Sequence, residues 1–114
     1  MAEDCIFCKI VNKEVPSAIL YEDEDVVVFP DINPSAPVHL LIVTREHIPS
    51  LLELNEANAG IVARMTLAAN KMAKEQGVAQ SGYRLVINCG PDGGQVVPHL
   101  HMHLLGGRDL KWGH

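Results

Sequence analysis

Near its C-terminal end the chain reads Pro98-His99-Leu100-His101-Met102-His103-Leu104-Leu105, a strict alternation of histidine with apolar residues. A period of two marks a β-strand with unlike faces, because successive side chains on a strand point to opposite sides of the sheet. Leu100, Met102 and Leu104 are therefore expected to bury. His99, His101 and His103 then share the other face, about 7 Å apart, two residue rises along a strand. Three of the chain's six histidines fall in these five positions, a concentration that favours a built site over a half-buried polar strand. Clustered imidazoles serve either as metal ligands or in phosphoryl or nucleotidyl transfer, one ring acting as nucleophile and another as proton donor or phosphate ligand. The loop Gly90-Pro91-Asp92-Gly93-Gly94-Gln95 just before the strand favours the second, since glycines let backbone N–H groups close on an anion.

The surrounding pattern is α+β. A short N-terminal helix is expected over residues 5–11, capped by Asp4 and ended by the stretch 12–16. Short apolar runs at 18–21 and 26–29, joined by the acidic turn 22–25, suggest a hairpin. Pro30, Pro34 and Pro37 punctuate a loop before a third strand at 38–44. One long helix is expected over about 55–76, capped by Asn55 and ended by Gly77, with Ile61, Met65, Ala68 and Met72 on its core face. Residues 83–89 alternate as a fourth strand, 90–94 turn the chain, and the histidine strand at 99–105 stops at Gly106-Gly107. The reading is a single α+β domain over residues 1–114, with a five-stranded antiparallel sheet, one long helix and a short N-terminal helix.

Composition narrows the partners. The chain of 114 residues carries a net charge of −5 with no basic cluster, so a long polyanion such as nucleic acid is not expected, although one small anion is. No apolar run approaches the ~18 residues that span a bilayer, and the acidic N-terminus lacks a signal-peptide pattern. A cytoplasmic protein without membrane association is expected. Three cysteines, an odd number without an export signal, argue against a disulfide framework. Cys5 and Cys8 lie one helical turn apart and can share a metal ion. Tetrahedral zinc then needs two more ligands, for which His47 and one member of the histidine strand are candidates; the other reading is inert buried thiols. Cys89 is expected to be a small buried hydrophobe. Asp31, in the proline loop, and His39, just after it, are either structural or, for Asp31, a binder of paired sugar hydroxyls.

With these residues in view, the sequence resembles the histidine triad superfamily, whose signature is histidine–φ–histidine–φ–histidine–φ–φ with φ apolar, here His99 to Leu105. The likeness extends along nearly the whole chain and is closest to the nucleotide-binding branch. It is carried by Ile6-Phe7, Phe29-Pro-Asp-Ile-Asn-Pro34, Ala36-Pro-Val-His39, His47, Tyr83-Arg84, Asn88, Asp92-Gly-Gly-Gln95, Gly106-Gly-Arg108 and the late Trp112. The resemblance implies a purine nucleoside phosphoramidase or nucleotide hydrolase. In it His101 attacks the α-phosphorus to give a nucleotidyl-histidine, His103 contacts the phosphate and handles the leaving-group proton, and His39 and His99 support from nearby. It implies Asp31 at the ribose, Ile6, Phe7, Ile10, Phe29 and Ile32 around the base, and Asn88 with the backbone of Gly94, Gln95, Val96 and Val97 at the phosphate. Many relatives carry serine at the position of Val96, where only the backbone amide can serve. The Cys5/Cys8 pair occurs in some members and implies structural zinc on Cys5, Cys8, His47 and His99, with no organic cofactor. The alternatives are a dinucleoside polyphosphate hydrolase of the same superfamily and a nucleotide-binding interaction protein of little turnover. A homodimer is implied, in which Trp112 reaches the neighbouring subunit's phosphate site; Ala68 and Ala69 on the long helix are expected to allow close approach of the mate.

Overall fold

The computed structural model describes residues 4–111. In chain order it contains α1 (Ile6–Val11), β1 (Tyr21–Glu22), β2 (Val26–Pro30), β3 (Val38–Thr44), α2 (Gly60–Glu75), β4 (Tyr83–Val86) and β5 (His101–Gly106), with a 3₁₀ turn at Leu51–Glu53. The strands form one antiparallel sheet in the order β1-β2-β3-β5-β4. The expected α+β architecture, with five strands, one long helix and a short one, is what the chain adopts. The histidine strand is interior, hydrogen-bonded to β3 on one side and β4 on the other.

Both faces of the sheet's centre are covered, which explains why Val26-Val-Val-Phe29 shows no alternation of polarity. Val26, Val28, Leu40, Ile42, Met102 and Leu104 pack with Met65, Ala68, Ala69 and Met72 of α2. On the opposite face Val27, Phe29, Leu41 and Val43 pack with Cys5, Phe7, Cys8 and Val11 around α1. His101 and His103 stand opposite Val43 and Leu41 in the register, so the alternation read from the sequence places apolar residues under α2 and imidazoles beneath α1.

Several boundaries differ from the sequence reading. The cap of α1 is Cys5, not Asp4; its Sγ accepts the Cys8 N–H at 3.3 Å. Helix α1 ends with Lys13 at φ 61°. There the N–H groups of Lys13 and Glu14 donate to the carbonyls of Ile10 and Lys9, a Schellman closure that sends the chain back over the sheet. Asn55 does cap, accepting from Ala57 and Asn58, but what it caps is a turn, and regular helix begins only at Gly60. Residues 18–20 fall outside β1, although the Leu20 N–H still donates to the Val28 carbonyl at 2.9 Å, and the first hairpin pairs Tyr21 and Glu22 with Val28 and Val27. Strand β4 stops at Val86, because from Asn88 onward the backbone leaves β5 to make the glycine loop. There Gly93 approaches so closely that a Cβ would overlap the Cys89 carbonyl oxygen. Cys89 is half-buried rather than buried. Ala68 and Ala69 lie in the chain's own core and offer no surface to a mate. No helix among the described residues is long and apolar enough to cross a membrane.

Candidate active site and metal-binding cluster

Hydrogen bonds decide which nitrogen of each imidazole carries its proton, and that decides what each ring can do. Strand β5 begins at His101, so His99 lies in the turn before it and its backbone carbonyl is free to face inward. His101 Nδ1 is 2.6 Å from that carbonyl oxygen. A carbonyl only accepts, so Nδ1 carries the proton and Nε2 keeps a lone pair. Burial pushes the His101 pKa below the usual histidine value, against an opposing pull from this hydrogen bond and from Asp31. The ring is seated edge-on against Phe7, with centroids 5.0 Å apart.

His39 on β3 accepts the Ser35 N–H at Nδ1, 2.9 Å away, so its own proton sits on Nε2. That Nε2 lies 2.9 Å from His103 Nδ1 and 3.4 Å from Asp31 Oδ2. His103 therefore accepts at Nδ1 and carries its single proton on Nε2. Burial first, then the neighbouring His101 and His39 rings, holds its pKa down to about 4, which keeps it neutral at pH 7. Asp31, His39 and His103 are close enough to consider as metal ligands. The Ser35 bond argues otherwise, because a protonated Nε2 has no lone pair for a cation. The set is a proton-relay geometry.

The second cluster has the opposite character. His99 is fully buried and donates Nε2–H to the Thr44 carbonyl at 2.7 Å, leaving the Nδ1 lone pair unprotonated. Facing it are Cys5 Sγ at 3.2 Å, Cys8 Sγ at 3.5 Å and His47 Nδ1 at 3.2 Å, and Cys8 Sγ lies 3.1 Å from His47 Nδ1. Tetrahedral zinc with ~2.0–2.3 Å bonds to nitrogen and sulfur has ligand–ligand edges of roughly 3.5 Å. The donor set and its spacing thus fit such an ion. Burial, then Cys5, raises the Cys8 thiol to about 11, and burial holds His99 down to about 4. Two buried thiols favour a bound cation that stabilises the thiolate form.

A cleft of about 810 Å³ opens over His101 and His103, the size of a small-molecule site. Ile6, Phe7, Ile10, Phe29, Asp31, Ile32, His39, Asn88, Gly94, Val96 and Val97 line it, so these expected residues converge on one cavity. Ile32 and Val96 are 90% and 88% exposed and form its rim. Gln95 does not line it. Its side chain is spent holding the glycine loop, accepting from Gly90 N–H and donating to the carbonyls of Pro49 and Val97. Its amide is likewise used, on Gly90 O, whereas among the described residues the amides of Val96 and Val97 have no acceptor. Two free consecutive donors at a cleft edge suit a phosphate. His99 lies in the cysteine cluster and outside the cleft. Trp112 falls outside the described residues. Val15, Pro16, Ser17, Asn33, Ser35 and Leu41 also line the cavity without having been anticipated. Leu41 shares a face with His39 and was legible by alternation; residues 15–17 arrive through the left-handed turn at Lys13, which no residue type announces.

An α+β sheet that presents a histidine-rich strand to a nucleotide-sized cleft defines the class of histidine triad proteins. The chain belongs to the histidine triad (HIT) family. The matching family, described as "Scavenger mRNA decapping enzyme C-term binding", covers residues 4–111. The purine nucleoside phosphoramidase of Escherichia coli K12 is 46% identical over 110 residues, 96% of this chain and 92% of that protein. A HIT family hydrolase from Clostridium thermocellum superposes with TM-score 0.93 at 55% identity, over 96% of this chain and 95% of that one. A zinc-bound histidine triad family protein from Mycobacterium smegmatis has TM-score 0.80 at 27% identity, over 96% of this chain and 78% of that one.

Proposed function

We propose that the protein hydrolyses the P–N bond of purine nucleoside phosphoramidates at the α-phosphorus, through a nucleotidyl intermediate on His101. The observation that carries the reading is the His101 tautomer: its Nδ1 proton is tied to the His99 carbonyl, so the nucleophilic lone pair sits on Nε2. A neutral imidazole is both a competent nucleophile and a good leaving group near pH 7. In the first step His101 Nε2 bonds to phosphorus as the P–N bond breaks, and the departing amine takes the proton from His103 Nε2. In the second, water returns a proton to that nitrogen while its oxygen displaces His101 from phosphorus. The free amides of Val96 and Val97 hold the phosphoryl oxygens, with Asn88 nearby. Asp31 accepts the ribose hydroxyls, and the base lies among Ile6, Phe7, Ile10, Phe29 and Ile32.

Cys5, Cys8, His47 and His99 hold a structural zinc ion. It ties α1, which roofs the cleft, to the turn that aims the His99 carbonyl at the nucleophile. The protein acts as a homodimer, with Trp112 at the partner's site. Support for the activity comes from the named activity of the Escherichia coli relative, and for zinc from the zinc-bound Mycobacterium smegmatis structure together with the donor geometry here.

Hydrolysis of adenosine 5′-phosphoramidate tests the reading. His101→Ala is expected to remove nearly all turnover while leaving nucleoside monophosphate affinity within a few-fold, and a quenched reaction of the unmodified protein should carry a nucleotidyl adduct on His101. Retained turnover in the alanine variant removes His101 from this role.

A further inference from the structure

The Gly106-Gly107-Arg108 turn lies outside the cleft, yet it is connected to the catalytic histidines by a series of hydrogen bonds on either side of the Ser35 backbone. Arg108 Nη2 donates to the Ser35 carbonyl at 2.9 Å. The Ser35 N–H donates to His39 Nδ1, and His39 Nε2 in turn lies 2.9 Å from His103 Nδ1. The turn can reach the proline loop only because residue 107 is glycine: its φ is +91°, and a Cβ there would stand 2.9 Å from Pro37 Cβ.

We infer that Gly107 and Arg108 form a clamp whose function is to set the proton on the correct nitrogen of His103. The direction of the series matters more than its strength. With the Ser35 N–H pointed at His39 Nδ1, the His39 proton must sit on Nε2, His103 must accept at Nδ1, and its proton is left on Nε2 for the leaving group. Arg108 holds the carbonyl side of Ser35 and so restrains the backbone that carries its N–H. If that N–H turns away, His39 can carry its proton on Nδ1. His103 then donates from Nδ1, and its Nε2 faces the leaving group with a lone pair and no proton. Asp31 cannot enforce the order alone, because its Oδ2 is 3.4 Å from His39 Nε2 and its Oδ1 is occupied by the Asn33 N–H. Arg108 is thus a positioning residue acting through Ser35 and His39.

This inference rests on the proposed reaction, and a comparison of leaving groups separates the two. An alkylamine leaving from a nucleoside phosphoramidate needs a proton; p-nitrophenol leaving from the p-nitrophenyl ester of the same nucleotide departs as a stable anion. Arg108→Ala is expected to lower kcat on the phosphoramidate about tenfold, ~1.4 kcal/mol of barrier, with KM little changed and the ester affected less than twofold. Arg108→Lys, which keeps one donor for the Ser35 carbonyl, should recover much of the loss. Imidazole ¹⁵N shifts should show His103 protonated at Nε2 in the unmodified protein and a mixture of tautomers in Arg108→Ala. An equal loss on both substrates, no loss on either, or His103 protonated at Nδ1 in the unmodified protein overturns the clamp. Should Arg108→Ala not fold, the shifts of the unmodified protein still decide. Turnover of neither substrate by the unmodified protein would instead remove the reaction itself, while the shifts would still report the tautomer.

Discussion

At the scale of single residues the site is an arrangement of protons. His101, His103 and His99 are each held to one tautomer by one backbone or imidazole partner. One consequence is a dependence of stability on pH. The pKa of His103 is about 4 in the folded protein, against about 6.5 in an unfolded chain. As pH falls below 6.5 the unfolded chain takes up a proton that the native state refuses, so stability is lost between about pH 6.5 and 4. Urea midpoints at pH 7 and pH 5 should drop for the unmodified protein and drop less for His103→Gln, which cannot take the proton. Asp31 sets a second test. Its carboxylate is held by Asn33 N–H through Oδ1 and lines the cleft. A carboxylate accepting two hydroxyls is a charge-assisted pairing. Ribonucleotides should be preferred to 2′-deoxyribonucleotides by about tenfold in kcat/KM, and Asp31→Ala should erase most of that difference. Equal handling of both sugars by the unmodified protein would place Asp31 elsewhere in the mechanism.

At the scale of elements, α1 is too short at six residues to be stable alone. Its apolar face packs on Val27, Phe29, Leu41 and Val43, and its N-terminus carries the two cysteines that meet His47 and His99. A metal held only by the folded state adds its binding free energy to folding. Protein purified without added metal should contain about one zinc per chain, and chelation should lower the melting temperature by several degrees. Because Phe7 of α1 seats the His101 ring, chelation should also loosen nucleotide binding while leaving some turnover. Complete loss of activity on chelation with the fold and melting temperature unchanged would make the metal catalytic rather than structural.

At the scale of the whole molecule, the sheet has β3 at its centre, β5 beside it and β4 at one edge. All four residues of β4 are only half-buried, and its outer side has no strand neighbour among the described residues. An open edge is available for pairing, and a two-fold mate is the commonest solution. Exposed Leu67, at 60%, offers apolar surface on the outer side of α2. Light scattering is expected to give about twice the 12.4 kDa chain mass at micromolar concentration. Truncation after Lys111, which removes Trp112 and keeps Arg108, should shift leaving-group preference more than nucleoside affinity. A monomer with full activity would end the dimer proposal.

What the sequence determined by itself were the features carried by period and residue chemistry. The alternation from His99 to Leu105 specified which side chains lie under the long helix and which face the cleft. The proline loop, the Val38–Thr44 strand and the spacing of Cys5 and Cys8 were legible for the same reason, since each depends on neighbours in the chain. Tertiary structure alone decided the rest. Whether His99 serves the cleft or the cysteine cluster depends on where β5 begins, and that is set by pairing with β3 and by Ile48, whose carbonyl takes the Leu100 N–H. That Gln95 holds a loop instead of a phosphate depends on the Pro49 carbonyl, 46 residues away. The protonated nitrogen of each imidazole follows from its partner across the fold, through Thr44, Ser35 or the His99 carbonyl. A residue's type limits what it can donate or accept; only the folded chain supplies the partner that selects among those options.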